Sequence, residues 1–257
     1  MKTASLVAVA ALVAAFSVQA QYTEINLSPY VNDNLNATPY FDNGDFPSGG
    51  TTLNVGAVPF GLALDGGPTS LGIVQSPNSG VVPPPTDTPY SFTFAVPAGT
   101  EATALYSLAN STYGEAGFIL GSITVTGTGG ETATESLAED YNIRDYNNGI
   151  WENSVSDASV VSTYYTGPSG DARLDMQVLD LPSSFDGDTI ASITFAGTAY
   201  GDTYGAYPGD AFIAGLTFED AASGVPDGSL PLPLLAGMFL AMFGAAKISP
   251  KQLRRLD

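Results

Sequence analysis

The sequence predicts an all-β protein, a β-sandwich or jelly roll, set between a hydrophobic N-terminal signal helix and a short C-terminal hydrophobic helix. Three observations carry that expectation. Between residues 21 and 224 the chain falls into short alternating or β-branched runs, the runs are separated by clusters of Gly, Pro, Asn and Asp, and no internal repeat or long helical period interrupts them. At 257 residues the chain has enough length for a substantial core.

The first twenty residues contain one cation, Lys2, then an apolar run from Ala4 to Phe16, then Val18-Gln19-Ala20 with small residues where a signal peptidase cuts. This is the pattern of a secretory signal peptide cleaved after Ala20 by signal peptidase. An uncleaved anchor is the alternative, and the run is short for a bilayer core of ~30 Å.

The expected strands lie at 51–60 (TTLNVGAVPF), 90–97 (YSFTFAVP), 104–109 (ALYSLA), 117–128 (GFILGSITVTGT), 158–166 (ASVVSTYYT), 172–181 (ARLDMQVLDL), 189–198 (TIASITFAGT) and 211–218 (AFIAGLTF). Gly127–Gly130 stands between two alternating runs and reads as a hairpin turn. Ile190, Ile193 and Phe195, with Leu174, Met176 and Val178, are read as core. Pro83-Pro84-Pro85 is a stiff extended stretch, read as a long loop within one domain, 21–224, with a linker dividing two domains at about residue 85 as the alternative.

Charge narrows the function. The chain has 7 Lys and Arg against 26 Asp and Glu, with no His and no Cys. Between 21 and 224 the only cations are Arg144 and Arg173, and only Asp227 and Asp257 among the acids fall outside that stretch. Such a surface repels phosphate backbones, so no nucleic-acid partner is expected. It suits either solubility through self-repulsion or the binding of divalent cations. Without His, Cys or a domain Lys, the Ser-His-Asp and Ser-Lys schemes and the usual zinc sites are closed. A carboxylate-pair glycosidase stays open.

The C-terminal stretch, 225–257, has a layout of its own. Val225-Pro226-Asp227-Gly228 precedes an apolar run from Leu230 to Ala246, and Lys247, Lys251, Arg254 and Arg255 follow. Helix is expected only after Pro233, leaving about fourteen residues or about 20 Å, shorter than a lasting span wants. The basic end holds the C-terminus in the cytoplasm. This arrangement resembles the PEP-CTERM class of C-terminal sorting signals, in its VPDG-type variant. The resemblance implies processing by a membrane-embedded exosortase, transient residence in the membrane, a cut near Val225–Gly228, and delivery to a bacterial surface or a polysaccharide matrix. The basic residues are spaced by Ile-Ser-Pro and Gln-Leu, and Pro231 and Pro233 stand in the span, which departs from that class. An ordinary tail anchor is the alternative.

Leu27, Tyr30 and Asn32, then Phe41, Asp42 and Phe46, then Pro59 and Phe60, and finally Arg144 and Asp145 are similar in pattern to galactose-binding-like jelly rolls of secreted glycosidases. That resemblance implies a sugar-binding or structural sandwich without catalysis. The residues suited to sugar are Tyr200, Tyr204 and Tyr207 in a Gly-rich stretch, and Trp151 with Arg144 in DYNIRDYNNGIWEN. Trp151 reads equally as a buried side chain, and Arg144 as a structural ion pair. Calcium is the natural cofactor: Asp42 and Asp45 in FDNGD, and Asp186 and Asp188 in SFDGDT, set oxygens around a glycine turn, a pattern that also serves plain Asx turns. The function expected is therefore an exported, non-catalytic surface or matrix protein that binds polysaccharide. A secreted carboxylate-pair enzyme and a purely structural surface protein are the alternatives.

Overall fold

Strands form where β-branched and aromatic residues alternate with small polar ones, since such side chains suit a pleated, half-buried surface. The structure is a computed structural model describing residues 20–35, 46–65, 70–75, 88–112, 115–147, 154–167, 170–199 and 209–221. All belong to one unit, Met1–Ala222. The strands are β1 (Tyr22–Glu24), β2 (Asp33–Asn34), β3 (Thr52–Val55), β4 (Val58–Gly61), β5 (Gly72–Gln75), β6 (Thr88–Ala95), β7 (Ala102–Thr112), β8 (Ile119–Gly127), β9 (Thr132–Ala138), β10 (Val161–Gly167), β11 (Gly170–Asp180), β12 (Ile190–Ala199) and β13 (Asp210–Asp220). One turn of 3₁₀ helix, Ser183–Phe185, is the only helical element among the described residues.

The strands build a β-sandwich-like fold. A seven-stranded sheet runs β10-β11-β7-β13-β5-β2, with β1 on the edge of β13 that β5 also uses. A four-stranded sheet runs β6-β12-β8-β9, and β3 and β4 form a separate hairpin. Every strand pairing is antiparallel.

Two cores follow from this layering. The first lies between the sheets, where Phe94, Ile123, Val125, Ile193 and Phe195 of the smaller sheet meet Leu105, Ile213, Leu216 and Phe218 of the larger. The second covers the opposite face of the large sheet, where Leu174, Met176 and Phe212 pack beneath Val55, Val58 and Phe60 of the β3–β4 hairpin.

Strand β13 therefore has both faces covered and reads as a continuous apolar run. A bulge at Ala214 lets it serve both cores: Ile213 pairs with Ala109, but Gly215 pairs with Leu108. That extra residue brings Leu216 and Phe218 onto the same side as Ile213. Gly215 cannot carry a side chain comfortably, because a Cβ there would stand 3.1 Å from a ring carbon of Phe60.

Most expected strands are present, within a few residues of their expected ends, and the hairpin at Gly127–Gly130 joins β8 to β9. The 51–60 run is not one strand. It doubles back at Gly56-Ala57, with Gly56 at φ +61°, so that Val55 pairs with Val58. Strands β1, β2 and β5 lie outside the expected runs and are too short to show alternation. Of the residues read as core, Ile190, Ile193 and Phe195 are buried in the first core, Leu174 and Met176 in the second, and Val178 is half-buried and belongs to neither. The prolines at 83–85 lie outside the described residues, as do 1–19 and 222–257 with both terminal segments.

Candidate functional site

Strands β7 and β11 pair from Ala104↔Asp180 to Leu108↔Met176 and part beyond Leu108. The segment Arg144–Asn147 fills the gap. Arg144 C=O accepts Ser111 N–H at 3.0 Å, Ser111 C=O accepts Tyr146 N–H at 2.9 Å, and Tyr146 C=O accepts Arg173 N–H at 2.9 Å.

Side chains complete this splice. Arg144 Nε donates to Asp175 Oδ2 at 2.7 Å, while its terminal nitrogen donates to Asp175 Oδ1 at 3.2 Å and to Ser162 Oγ at 2.6 Å. Asp175 is fully buried and the Arg144 side chain is 12% exposed. Asn110 joins them, donating to Asp175 Oδ2 at 3.0 Å and accepting Asp175 N–H at 2.9 Å. Arg173, 1% exposed, donates from Nε and a terminal nitrogen to Asp145 C=O at 3.0 and 2.7 Å. Both domain cations thus bond within the protein, and Arg144 is built into it as an ion pair.

Asp188 is held in the turn between the 3₁₀ helix and β12. Its carboxylate accepts the Thr128 hydroxyl, Gly129 N–H at 2.7 Å and Thr189 N–H at 3.0 Å. Thr128 above all, then Gly129, holds its carboxyl at about 2, below the usual carboxylate range. A Cβ on Gly127 would lie 2.6 Å from Asp188 Oδ2 and 2.9 Å from Glu131 Oε2, so two carboxylates converge over that glycine. Asp188 therefore clamps the β8–β9 hairpin to the turn after the 3₁₀ helix, while Asp186 stands exposed on that turn. No group of three Asp or Glu side chains able to hold a metal ion occurs among the described residues.

A cleft of about 390 Å³ opens between Glu24–Ser28 and the β3–β4 hairpin, with Asn26, Thr51 and Thr52 on its walls. A larger feature is the outer face of the four-stranded sheet. The register aligns Thr93, Thr194, Thr124 and Thr134 in one row, flanked by Ala95, Ser192, Thr126 and Thr132 on one side and Ser91, Ala196, Ser122 and Ser136 on the other. All of these side chains are exposed or half-exposed. Twelve positions thus hold ten hydroxyls, two methyls and no charge.

The remaining residues singled out from sequence are Trp151, Tyr200, Tyr204 and Tyr207, Asp42 and Asp45, the motif Val225–Gly228, and the tail Lys247, Lys251, Arg254 and Arg255. They lie outside the described residues. Sequence reading did not find Asp175, Asn110 or Ser162 as partners of Arg144, because only the strand register brings them together. Among the described residues no helix is long and apolar enough to cross a membrane. Comparison of the chain with protein-family models, with curated proteins and with solved structures finds no match in any of the three.

Two outcomes are expected. Arg144→Met leaves Asp175 as a buried carboxylate without its charge partner and lowers stability by about 3 kcal/mol in urea unfolding. A change confined to sugar binding, with stability intact, would instead make Arg144 a ligand contact. For Asp188, a depressed folded-state value means stabilisation that is complete above the ordinary Asp value of about 3.9 and is lost as pH falls through about 2. The melting temperature of the wild type should therefore exceed that of Asp188→Asn at neutral pH, and the gap should close between about pH 4 and pH 2.

Proposed function

We propose that this chain is an exported, non-catalytic protein of the bacterial cell surface or extracellular matrix. A C-terminal exosortase signal carries it there, and its β-sandwich, of the jelly-roll kind, binds polysaccharide. One observation carries the reading. A cleavable-type signal, a Val225-Pro226-Asp227-Gly228 motif, a thin apolar span and a basic end occur together in the order that such sorting requires. Signal peptidase acts at Ala20 and the exosortase near Val225–Gly228. The span serves as a temporary stop because it is short for a bilayer core of ~30 Å.

Charge supports the polysaccharide limb of the proposal. A domain with so few cations repels any acidic polymer over most of its surface. The threonine and serine face of the four-stranded sheet is free of that repulsion, and its hydroxyls can both donate to and accept from sugar hydroxyls. Trp151, Tyr200, Tyr204 and Tyr207 are the aromatic rings proposed to stack on sugar, and their sequence context is their support.

Sorting is tested by replacing Val225 and Pro226 with alanine in a host that carries an exosortase. The wild-type chain should lose its tail from near Val225 and reach the surface, while the variant keeps the tail and stays with the inner membrane; identical processing of the two contradicts the proposal. Binding is tested with Thr194→Glu, which puts a charge at the middle of the hydroxyl face and should leave stability within about 0.5 kcal/mol. Retention on immobilised surface polysaccharide should fall several-fold, and unchanged retention would remove this face from the account.

A further inference from the structure

A second cluster of acids lies at the free edge of the large sheet, where β2 pairs with β5. Asp33 stands opposite Ile73, so Gln75 is its diagonal neighbour on the same face. Gln75 Nε2 donates to Asp33 Oδ2. Asn34 N–H donates to Asp33 Oδ1 at 2.7 Å, and Asn34 Nδ2 donates to Asp65 Oδ2 at 2.8 Å. Asp65 is delivered by the chain leaving β4, which the Leu64↔Leu71 bridge ties to the start of β5.

Four side chains from three segments thus form one connected cluster with an imbalance. Both amides give their hydrogens to carboxylates, and both amide oxygens, Gln75 Oε1 and Asn34 Oδ1, are buried with no hydrogen-bond donor. Gln75 is 2% exposed and cannot withdraw, since Asn32 grips its backbone from both sides, accepting Gln75 N–H and donating to Gln75 C=O at 3.0 Å each. A buried oxygen without a donor is rare enough to need a cause. Burial raises the Asp33 carboxyl above its ordinary value against the pull of Asn34 N–H, and the charge of Asp65 raises it further. Neither arginine of 21–224 offers relief, because Arg144 faces Asp175 and Arg173 faces the Asp145 carbonyl.

We propose that Asp33, Asn34, Asp65 and Gln75 form a binding site for a hard divalent cation, calcium by preference. Two carboxylates and two amide oxygens are the ligand types calcium takes, and they include no nitrogen or sulfur donor of the kind transition metals favour. Calcium tolerates such an irregular set and fills its six to eight positions with water, for which the half-exposed Asp33 and Asp65 leave an opening. Magnesium demands near-octahedral order and dehydrates reluctantly, which makes it the comparison cation. The ion would pin β2 and the chain after β4 to β5, closing the sheet edge. The site is separate from the acidic turns read from sequence, and it stands whether or not the domain binds polysaccharide.

The test is calcium titration by calorimetry on the full-length chain stripped with EDTA, with magnesium as the comparison cation. The variants are Asp33→Asn, Asp65→Asn and Asp188→Asn. Wild type should bind calcium in the submillimolar to millimolar range of extracellular modules and gain several degrees of melting temperature. Asp33→Asn and Asp65→Asn should each weaken binding at least tenfold, while Asp188→Asn keeps it. Removing the desolvated charge of Asp33 should also leave Asp33→Asn at least as stable as wild type in EDTA, which separates a lost ligand from a lost fold. If either of the first two variants fails to fold, the other decides. No calcium uptake by the wild type, full uptake by both edge variants, or loss confined to Asp188→Asn would each overturn the site.

Discussion

The fold depends on the buried pairing of Arg144 with Asp175. Strands β7 and β11 part beyond Leu108, and two exposed strand edges inside a domain would leave backbone groups without partners. The Arg144–Asn147 segment closes that gap by backbone hydrogen bonds, and the arginine fixes it in place. Nearby residues of the same stretch go to both cores: Ile143 joins the one between the sheets, and Tyr146 the one beneath the β3–β4 hairpin. One ion pair therefore fixes a segment that contributes to both apolar layers.

That arrangement has a consequence for charge. With both domain arginines bonded internally, the remaining acids of 21–224 have no cationic side chain of that stretch left to pair with. Local hydrogen bonding answers part of the need, as at Asp188, whose carboxylate is satisfied by a hydroxyl and two backbone N–H groups. At Asp33 and Asp65 the donors run out before the oxygens do. The hydroxyl face of the small sheet answers differently, by carrying no charge.

The longer strands were legible because their alternation persists for seven or more residues, as in β8 and β12, or because they form one apolar run, as in β13. The turn at Gly56 was hidden because TTLNVGAVPF stays apolar through it, so composition gave no break. Strands β2 and β5 are two and four residues long and owe their existence to their partners. The polar sites follow the same division. The Asp188 turn was visible as SFDGDT because its contacts begin within the motif. The Asp33 cluster was not, since Asp65 and Gln75 reach it through tertiary pairing and nothing in NDN announces a glutamine beyond another strand. Arg144 stood out only as a rare cation, and its structural partner had to come from the register.

Both ends of the chain are proposed as addresses, removed on the way to the surface. Intact-mass measurement of the protein recovered from its native envelope tests this most directly. The expected species begins at Gln21 and ends between Val225 and Gly228. Recovery of a species that retains Met1–Ala20, or that runs on through Leu230–Asp257, would contradict it.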